Sequence, residues 1–359
     1  MTMDMMCLCC QSQEARESNR ISNEIDRILI EEMKNRRKQI KIILFGSEES
    51  GKSTFIKQMK IIYGAGFPEN ERRNFVQVVH HNLCVSMQTM IKAMRRLRIP
   101  YTIPSNEEKA RLFLEEEFIY FSAPTSEHIQ ICKTLWEDPG TRECFRRRQE
   151  FCITESASYY LPKIDLVTTP GYLPTEQDIL YARVPTSGIN EYSFNVEKAF
   201  FRIVELGSQR LRRKWFFDFF ENVECVIFIT AISEYDQYLY EGGIKTRLME
   251  SMELFQMTVV NPWFRRSSFV LFLNKTDVLK EKISYSDLAV HFPDFKGPTQ
   301  DADAAQRFIQ DMFHCMNPDR QKVVYTYHTC ATDTENINSV FLAMRHAILH
   351  INLHDYNFA

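Results

Sequence analysis

Apolar positions along this chain follow two periods. Short, nearly continuous apolar runs stand at QIKIILF (39–45), AFFRIVEL (199–206), VECVIFITAI (223–232), SSFVLFLN (267–274) and KVVYTYHT (322–329). Runs of this length predict strands, and their lack of strict alternation predicts burial on both faces. Helical periods separate most of them. KSTFIKQMKIIYG predicts a helix that stops at Gly64. Ile21, Ile25, Ile28 and Leu29 recur at i, i+4, i+7 and i+8 with charges between them, so 11–38 predicts one long helix. A basic cluster of Lys34, Arg36, Arg37 and Lys38 lies near its end. Strands alternating with helices predict an α/β fold, a mostly parallel sheet with helices on both faces.

Between 67 and 180 the pattern changes. FVQVVHHNLCVSMQTMIKAMRRL predicts a long helix, and EEKARLFLEEEF, EHIQICKTLWED, TRECFRRRQEF and SASYYLPKIDLV predict shorter ones. No strand signal competes with them. The reading is an all-helical insertion, 67–180, inside an α/β domain made of 39–66 and 181–359, with 1–38 as an N-terminal helix. No internal repeat or low-complexity tract stands out.

Composition changes this picture little. With 44% hydrophobic and 13% aromatic residues in 359, there is material for a full core. A net charge of −3 exerts no pull toward nucleic acid. There is no apolar run of about 18 residues that would span a bilayer. The opening MTMDMMCLCC lacks the basic stretch and long apolar core of a secretory leader. Of ten Cys, most are scattered singly and read as free thiols of a reducing compartment. The one C-x-x-C spacing, Cys7 to Cys10, has no second pair to complete a zinc site. His80-His81 reads as packing or surface, and Arg146-Arg147-Arg148 as a solvated face.

The chemistry begins at FGSEESGKST. Gly46, Ser47, Glu48, Glu49, Ser50, Gly51, Lys52 and Ser53 have the spacing G-x-x-x-x-G-K-[ST] between a predicted strand and a predicted helix. Such a loop wraps backbone N–H groups around a triphosphate, with the Lys on the β/γ-phosphates and the hydroxyl on Mg²⁺. A helix N-terminus adds a field favourable to anions. Asn274-Lys275-Thr276-Asp277 follows another predicted strand. A carboxylate there can accept from the ring N–H and 2-amino group of guanine, a pair that adenine does not offer. That disfavours an ATP-dependent kinase or ATPase. Thr329-Cys330-Ala331-Thr332, after the last strand, can supply a backbone N–H to the guanine oxygen. Arg183-Val184-Pro185-Thr186 brings a Thr suited to Mg²⁺ and an Arg suited to a γ-phosphate.

With these motifs placed, the chain resembles a heterotrimeric G-protein α subunit, specifically of the Gq class. ESGKSTFIKQMKIIYGAG, TEQDIL…RVPT, SEYDQ, PWF…SS…LFLNK and TCATDTENI carry the resemblance, which runs from the tip cysteines to DYNFA. It implies a Ras-like GTPase domain with an inserted helical domain, binding GTP or GDP with Mg²⁺. Gly46 to Thr54 would cradle phosphates, with Ser53 and Thr186 on the metal. Arg183 would be an in-cis arginine finger and Gln209 would orient the attacking water. Asn274, Lys275, Asp277 and Ala331 would hold guanine, and Ser156, Leu180 and Tyr181 would line the nucleotide where the domains meet. The resemblance also implies palmitoylation at Cys9 and Cys10, a peripheral site on the cytoplasmic face of the plasma membrane, and partners. These are a βγ dimer (met by the N-terminal helix and by Lys214 and Trp215), RGS proteins, a phospholipase C-β type effector, and a seven-helix receptor met by Asp355 to Ala359. Thr2 excludes N-myristoylation, which needs Gly.

Several positions depart from the family. It has glycine where Glu48 stands, and D-x-G-G where this chain has Glu205-Leu206-Gly207-Ser208. Glu48 adds like charge beside the γ-phosphate, Glu205 is one methylene longer, and Ser208 adds a Cβ. One residue is missing after Arg210, and EGGIKTRLM (241–249) is basic where the family is acidic. The ending Phe358-Ala359 replaces the Leu-Val of the Gq class. Base recognition is expected to be intact, and GTP turnover slow or absent. The alternative is a pseudo-GTPase of the same fold that holds GDP and occupies βγ or receptors.

Overall fold

The computed structural model describes residues 20–22, 24–27, 39–118, 123–151, 153–186, 188–196, 199–207, 220–239 and 244–356, with side chains through 345 apart from that of residue 149. Residues 20–22 and 24–27 are helical, and Ile21 and Ile25 are exposed. The rest of the expected 11–38 helix lies outside the described residues.

Among the described residues, six strands form one sheet in the order β2-β3-β1-β4-β5-β6. These are β1 (Gln39–Gly46), β2 (Ile189–Val196), β3 (Ala199–Leu206), β4 (Cys225–Ala231), β5 (Ser268–Asn274) and β6 (Val324–Thr329). β1, β3, β4, β5 and β6 run parallel. Only β2 is antiparallel, to β3. The apolar runs therefore lie where expected, and β2 is an addition. Its sequence INEYSFNV is mostly polar because it sits at the sheet edge, with only Phe194 and Val196 buried.

The parallel strands are buried on both faces, which is why they read as continuous apolar runs. Ile43, Phe45, Val204, Val226 and Phe228 face one layer, with Phe255, Phe264 and Phe313. Ile42, Leu44, Ile203, Ile227 and Phe272 face the other, with Phe55, Met59, Phe341 and Met344. This second layer holds α1 (Lys52–Tyr63) against the sheet. Phe55 meets Phe272 edge to face at 5.6 Å. Burying one such side chain stabilises by roughly 1.5–3 kcal/mol. The anchored Phe55 thereby fixes Lys52 and Ser53, one turn earlier.

From 69 to 181 the described residues contain helices and no strand. These are α2 (Glu69–Leu97), α3 (Pro104–Glu115), α4 (Ser126–Glu137), α5 (Pro139–Arg146), α6 (Glu155–Tyr160), α7 (Ile164–Val167) and α8 (Glu176–Tyr181). α2 starts six residues before the apolar pattern does, after Pro68, and an exposed Glu69–Arg73 pair one turn apart spans its polar first turns. SASYYLPKIDLV is not one helix. Pro162 stands in a 3-10 turn, Leu161–Lys163, that separates α6 from α7. Val79, Leu83, Met87, Met90 and Met94 line one stripe of α2 and pack with Trp136, Cys144 and Tyr160 in a separate core. Two of the scattered thiols meet there, with Cys84 and Cys132 Sγ atoms 3.8 Å apart and unbridged. His80 and His81 bond the carbonyls of Val167 and Phe118, so both are packing residues. Arg146 and Arg147 pair locally on an exposed face, whereas Arg148 reaches Glu281 at 2.8 Å across to the sheet domain.

The remaining helices are α9 (Arg247–Val259), α10 (Thr276–Lys282), α11 (Leu288–His291), α12 (Ala302–Cys315) and α13 (Thr334–Tyr356). The loops after β1, β3, β4, β5 and β6 all leave the carboxyl edge of the sheet, where open α/β folds place their ligands.

Candidate functional site

The loop after β1 has the backbone of a phosphate cradle. Gly46 (φ +149°) and Gly51 (φ +106°) stand where side chains are rarely tolerated. A Cβ on Gly46 would fall 2.2 Å from the Ile229 carbonyl oxygen, and one on Gly51 would fall 2.3 Å from Asn274 Nδ2. Glu49 also has positive φ, at 61°, a strained conformation for a residue with a Cβ. The Ser47 and Ser50 hydroxyls are buried with no hydrogen-bond partner among the described residues. Orphaned buried hydroxyls inside such a loop fit an oxyanion ligand. Lys52 is buried and donates to the Gly46 and Ser47 carbonyls at 3.0 and 2.6 Å. Burial pushes its ammonium down to about 8, despite the carboxylates of Glu205, Glu48 and Glu234. Thr54 lies half-buried in the first turn of α1.

Three oxygens converge beside the cradle. Ser53 Oγ lies 2.6 Å from Thr186 Oγ1 and donates to Glu205 Oε1 at 2.7 Å. Thr186 donates to the same carboxylate oxygen at 3.4 Å, and the Tyr192 hydroxyl to the other at 3.4 Å. Glu205 is 1% exposed. Two hydroxyls and a carboxylate are hard donors of the kind Mg²⁺ takes, so the residues fit that ion. They reach one point from α1, from the 182–186 segment and from β3.

A ribbon of alternating charge runs along the cleft. Arg183 Nη2 lies 2.7 Å from Glu49 Oε1 and 3.5 Å from Glu48 Oε1. Arg247 Nη1 meets Glu49 Oε2 at 3.1 Å, and its Nε meets Glu234 at 3.4 Å. Lys275 Nζ meets Glu155 at 2.9 Å and Glu234 at 3.8 Å. Burial alone would raise the Glu49 carboxyl, but Arg183, Arg247 and Lys275 hold it below its usual range. Burial would lower Lys275, and Glu155 and Glu234 raise it instead. Buried Glu234 is itself pushed up.

The motif expected to read the base lies at the end of β5. Asn274 pairs in register with Ala231 and Thr329. Its Nδ2 donates to the Ser50 carbonyl at 2.8 Å, and its Oδ1 accepts from Ala331 N–H at 2.9 Å and from the Thr329 hydroxyl at 3.1 Å. Asn274 thus ties the phosphate loop to the 329–332 loop, and the Ala331 N–H expected to meet guanine is engaged by Asn274. Lys275 has φ 65° and caps α10, leaving Asp277 exposed in its first turn.

One further finding decides the family. A family model for the G-protein alpha subunit matches residues 19–348. The chain belongs to the G-protein α-subunit family. As a family member it is a guanine-nucleotide-binding α subunit, in a family whose members are in general GTPases that use Mg²⁺ and partner with βγ, receptors and effectors.

In this Gα chain Ser156, Leu180 and Tyr181, expected to line the nucleotide, lie close together at the end of the helical segment. Ser156 donates to the Tyr181 carbonyl at 2.7 Å, Tyr181 stacks on Tyr159 at 3.9 Å, and Leu180 is buried. Ser208, Gln209, Lys214, Trp215, Cys9, Cys10 and the terminal Asn357 to Ala359 lie outside the described residues, as do 241–243. Among the described residues no helix is long and apolar enough to cross a membrane.

The structure adds residues that the motifs did not single out. Arg247 belongs to the 241–249 segment that is basic where the family is acidic, and here it bonds Glu49 and the Glu48 carbonyl. Glu234, within SEYDQ, is buried, and Tyr192 is a half-buried neighbour outside any motif. Lys57 Nζ donates to the Ile179 and Ala182 carbonyls at 2.9 and 2.5 Å. Asn82, on α2, bonds the backbone of Arg183. A polar Asn inside an apolar helical stripe was a usable signal for the last of these.

Proposed function

We propose that this Gα chain is a GTP-hydrolysing switch of the Gq type, coupling a seven-helix receptor to a phospholipase C-β type effector. The observation that carries the enzymatic part is the meeting of Ser53, Thr186 and Glu205 beside the phosphate loop, with Arg183 at its mouth. Lys52, Ser47 and Ser50 bind the phosphates. Ser53 and Thr186 hold Mg²⁺, and Glu205 braces both hydroxyls. When bound, Mg²⁺ neutralises charge shared by the β- and γ-phosphates. Arg183 leaves Glu49 to meet the γ-phosphate, and Gln209 orients the attacking water. Asp277 reads guanine, with Ser156, Leu180 and Tyr181 closing the cleft. The domain division follows the sequence, with 67–180 as the insert between 39–66 and 181–359. Acylation at Cys9 and Cys10 holds the chain to the cytoplasmic face of the plasma membrane, and two acyl chains suffice for stable anchoring. The βγ dimer, receptor, effector and RGS proteins are its partners.

A second reading has its own observation. Glu48 places a carboxylate within 3.5 Å of the Arg183 guanidinium. A chain so held is a pseudo-GTPase that keeps GDP and occupies βγ or receptors without signalling.

The test is binding of a non-hydrolysable GTP analogue with Mg²⁺, read by protection of the Arg210–Trp215 segment from trypsin. Protection is expected for a working switch. GDP binding with no GTP-dependent protection sinks the first reading in favour of the second.

Nucleotide affinity should also follow the protonation of Lys52. A polyphosphate favours the ammonium, and burial places the free group at about 8. Below that value the ammonium is already present, so GDP affinity is flat. Above it binding must take up a proton, and Kd rises by up to about tenfold per pH unit. Titration calorimetry of GDP across this range checks the sign; an affinity independent of pH above 8 contradicts it.

A further inference from the structure

We propose that Asn82, on the helical insert, is a positioning residue for Arg183. The proposal rests on reading Arg183 as the arginine that meets the γ-phosphate. Asn82 is 5% exposed and lies within α2, between Val79 and Leu83 of its core stripe. Its amide engages one residue twice. Arg183 N–H donates to Asn82 Oδ1 at 2.6 Å, and Asn82 Nδ2 donates to the Arg183 carbonyl at 2.9 Å. Both backbone polar groups of Arg183 are thereby bound to one side chain.

The residues just before Arg183 are held independently. Lys57, on α1, ties the Ile179 and Ala182 carbonyls at the end of α8, where an ammonium also suits the helix dipole. The other end of α8 is fixed by the Thr175–Asp178 capping box, and Asp178 accepts from the Tyr159 hydroxyl at 2.8 Å. The backbone entering Arg183 is therefore clamped by the sheet domain through Lys57 and by the insert through Asn82. Its side chain is 36% exposed, and among the described residues its guanidinium is held by the loop carboxylates of Glu48 and Glu49. A fixed pivot with a movable charged end is what a residue needs to swing from Glu49 to a phosphate.

General adhesion between insert and sheet domain is the competing role for Asn82. Geometry speaks against it, because among the described residues both hydrogen bonds of the amide go to Arg183. Truncation leaves a part-buried N–H and carbonyl unpaired at the pivot. A displacement near 1 Å in a catalytic group costs on the order of 100-fold in rate.

The experiment uses the full chain with Asn82→Ala and Asn82→Asp. The aspartate keeps the acceptor for Arg183 N–H and loses the donor to its carbonyl, so it serves if the alanine variant fails to fold. Hydrogen exchange is read first, on the GDP-bound protein, for the peptide containing Arg183. Asn82→Ala should speed exchange there by about tenfold or more, the equivalent of one lost buried hydrogen bond. Single-turnover GTP hydrolysis should fall by about 10- to 100-fold, with GDP affinity changed little. In an Arg183→Ala background the same substitution should leave hydrolysis nearly unchanged, because the group it positions is gone. Asn82→Asp should slow hydrolysis while the Arg183 amide stays protected.

Unchanged exchange overturns the proposal, as does an equal loss of hydrolysis with and without Arg183, which would make Asn82 structural glue. A wild-type chain that shows the expected exchange but hydrolyses nothing also overturns it. That outcome is distinguishable, since it rejects the enzymatic reading and leaves only a backbone anchor.

Discussion

Replacing Glu48 with glycine is expected to raise single-turnover GTP hydrolysis by about 10- to 100-fold. Two effects of this side chain act in the same direction. Its carboxylate lies 3.5 Å from Arg183 Nη2 and helps Glu49 hold the guanidinium on the loop. It also brings negative charge to the side of a triphosphate that carries several. Two unit charges about 4 Å apart interact by about 4 kcal/mol at the effective dielectric of a protein surface. Glu48 is 56% exposed, so solvent and salt reduce that by half or more. What remains corresponds to the expected factor. Glu48→Gln separates the causes, since it removes charge and keeps bulk. Recovery with Gln assigns the loss to charge, and recovery with Gly alone assigns it to crowding. If neither variant changes the rate, Glu48 does not limit turnover, and Ser208 becomes the departure to test.

Arg183→Ala is the second large effect. Hydrolysis should fall by about 10³-fold or more, a magnitude measured on phosphoryl-transfer enzymes as a class, this family's in-cis arginine among them, rather than derived from this geometry. Stability should hardly change. The Arg183 pairs are partly exposed, and such pairs contribute about 0–1 kcal/mol. Glu49 also keeps Arg247 at 3.1 Å. The informative pattern is therefore a lost rate beside an unchanged melting curve, measured on one preparation. A rate that survives Arg183→Ala would show that the guanidinium takes no part in turnover and would overturn its assignment to the γ-phosphate. Combining Arg183→Ala with Glu48→Gly tests whether the two act together. If Glu48 works mainly by holding Arg183, its removal brings little once the arginine is gone.

Much of this was legible in one dimension, and the reason differs from feature to feature. The central strands were readable because burial on both faces forces runs such as VIFIT and FVLFLN to be apolar throughout. The phosphate loop was readable because its backbone excludes side chains at Gly46 and Gly51, so its chemistry must appear as fixed spacing. β2 was not readable, since an edge strand with only Phe194 and Val196 buried carries almost no apolar signature. The polar start of α2 was hidden for a similar reason, as charge pairs rather than apolar contacts line its first turns. Pro162 was visible in the sequence and should have divided α6 from α7.

The sequence by itself determined the fold class, the glycine-bounded loop after β1, the N-K-x-D tetrapeptide after β5 and the places where this Gα chain departs from its family's expected pattern. Those features are local: each rests on a strand, a turn or a helix start whose residue types are dictated by its own backbone. Tertiary structure alone decided which of the charges meet. Glu48, Arg183, Glu49, Arg247, Glu234, Lys275 and Glu155 come from six separate stretches of chain, and nothing in their spacing says that they alternate along one cleft. The same holds for Ser53, Thr186 and Glu205, and for Asn82, which is 101 positions from the residue it clamps. Hydrogen bonds and ion pairs depend on distance in space, and parallel crossovers with a helical insert bring distant residues to one edge of the sheet.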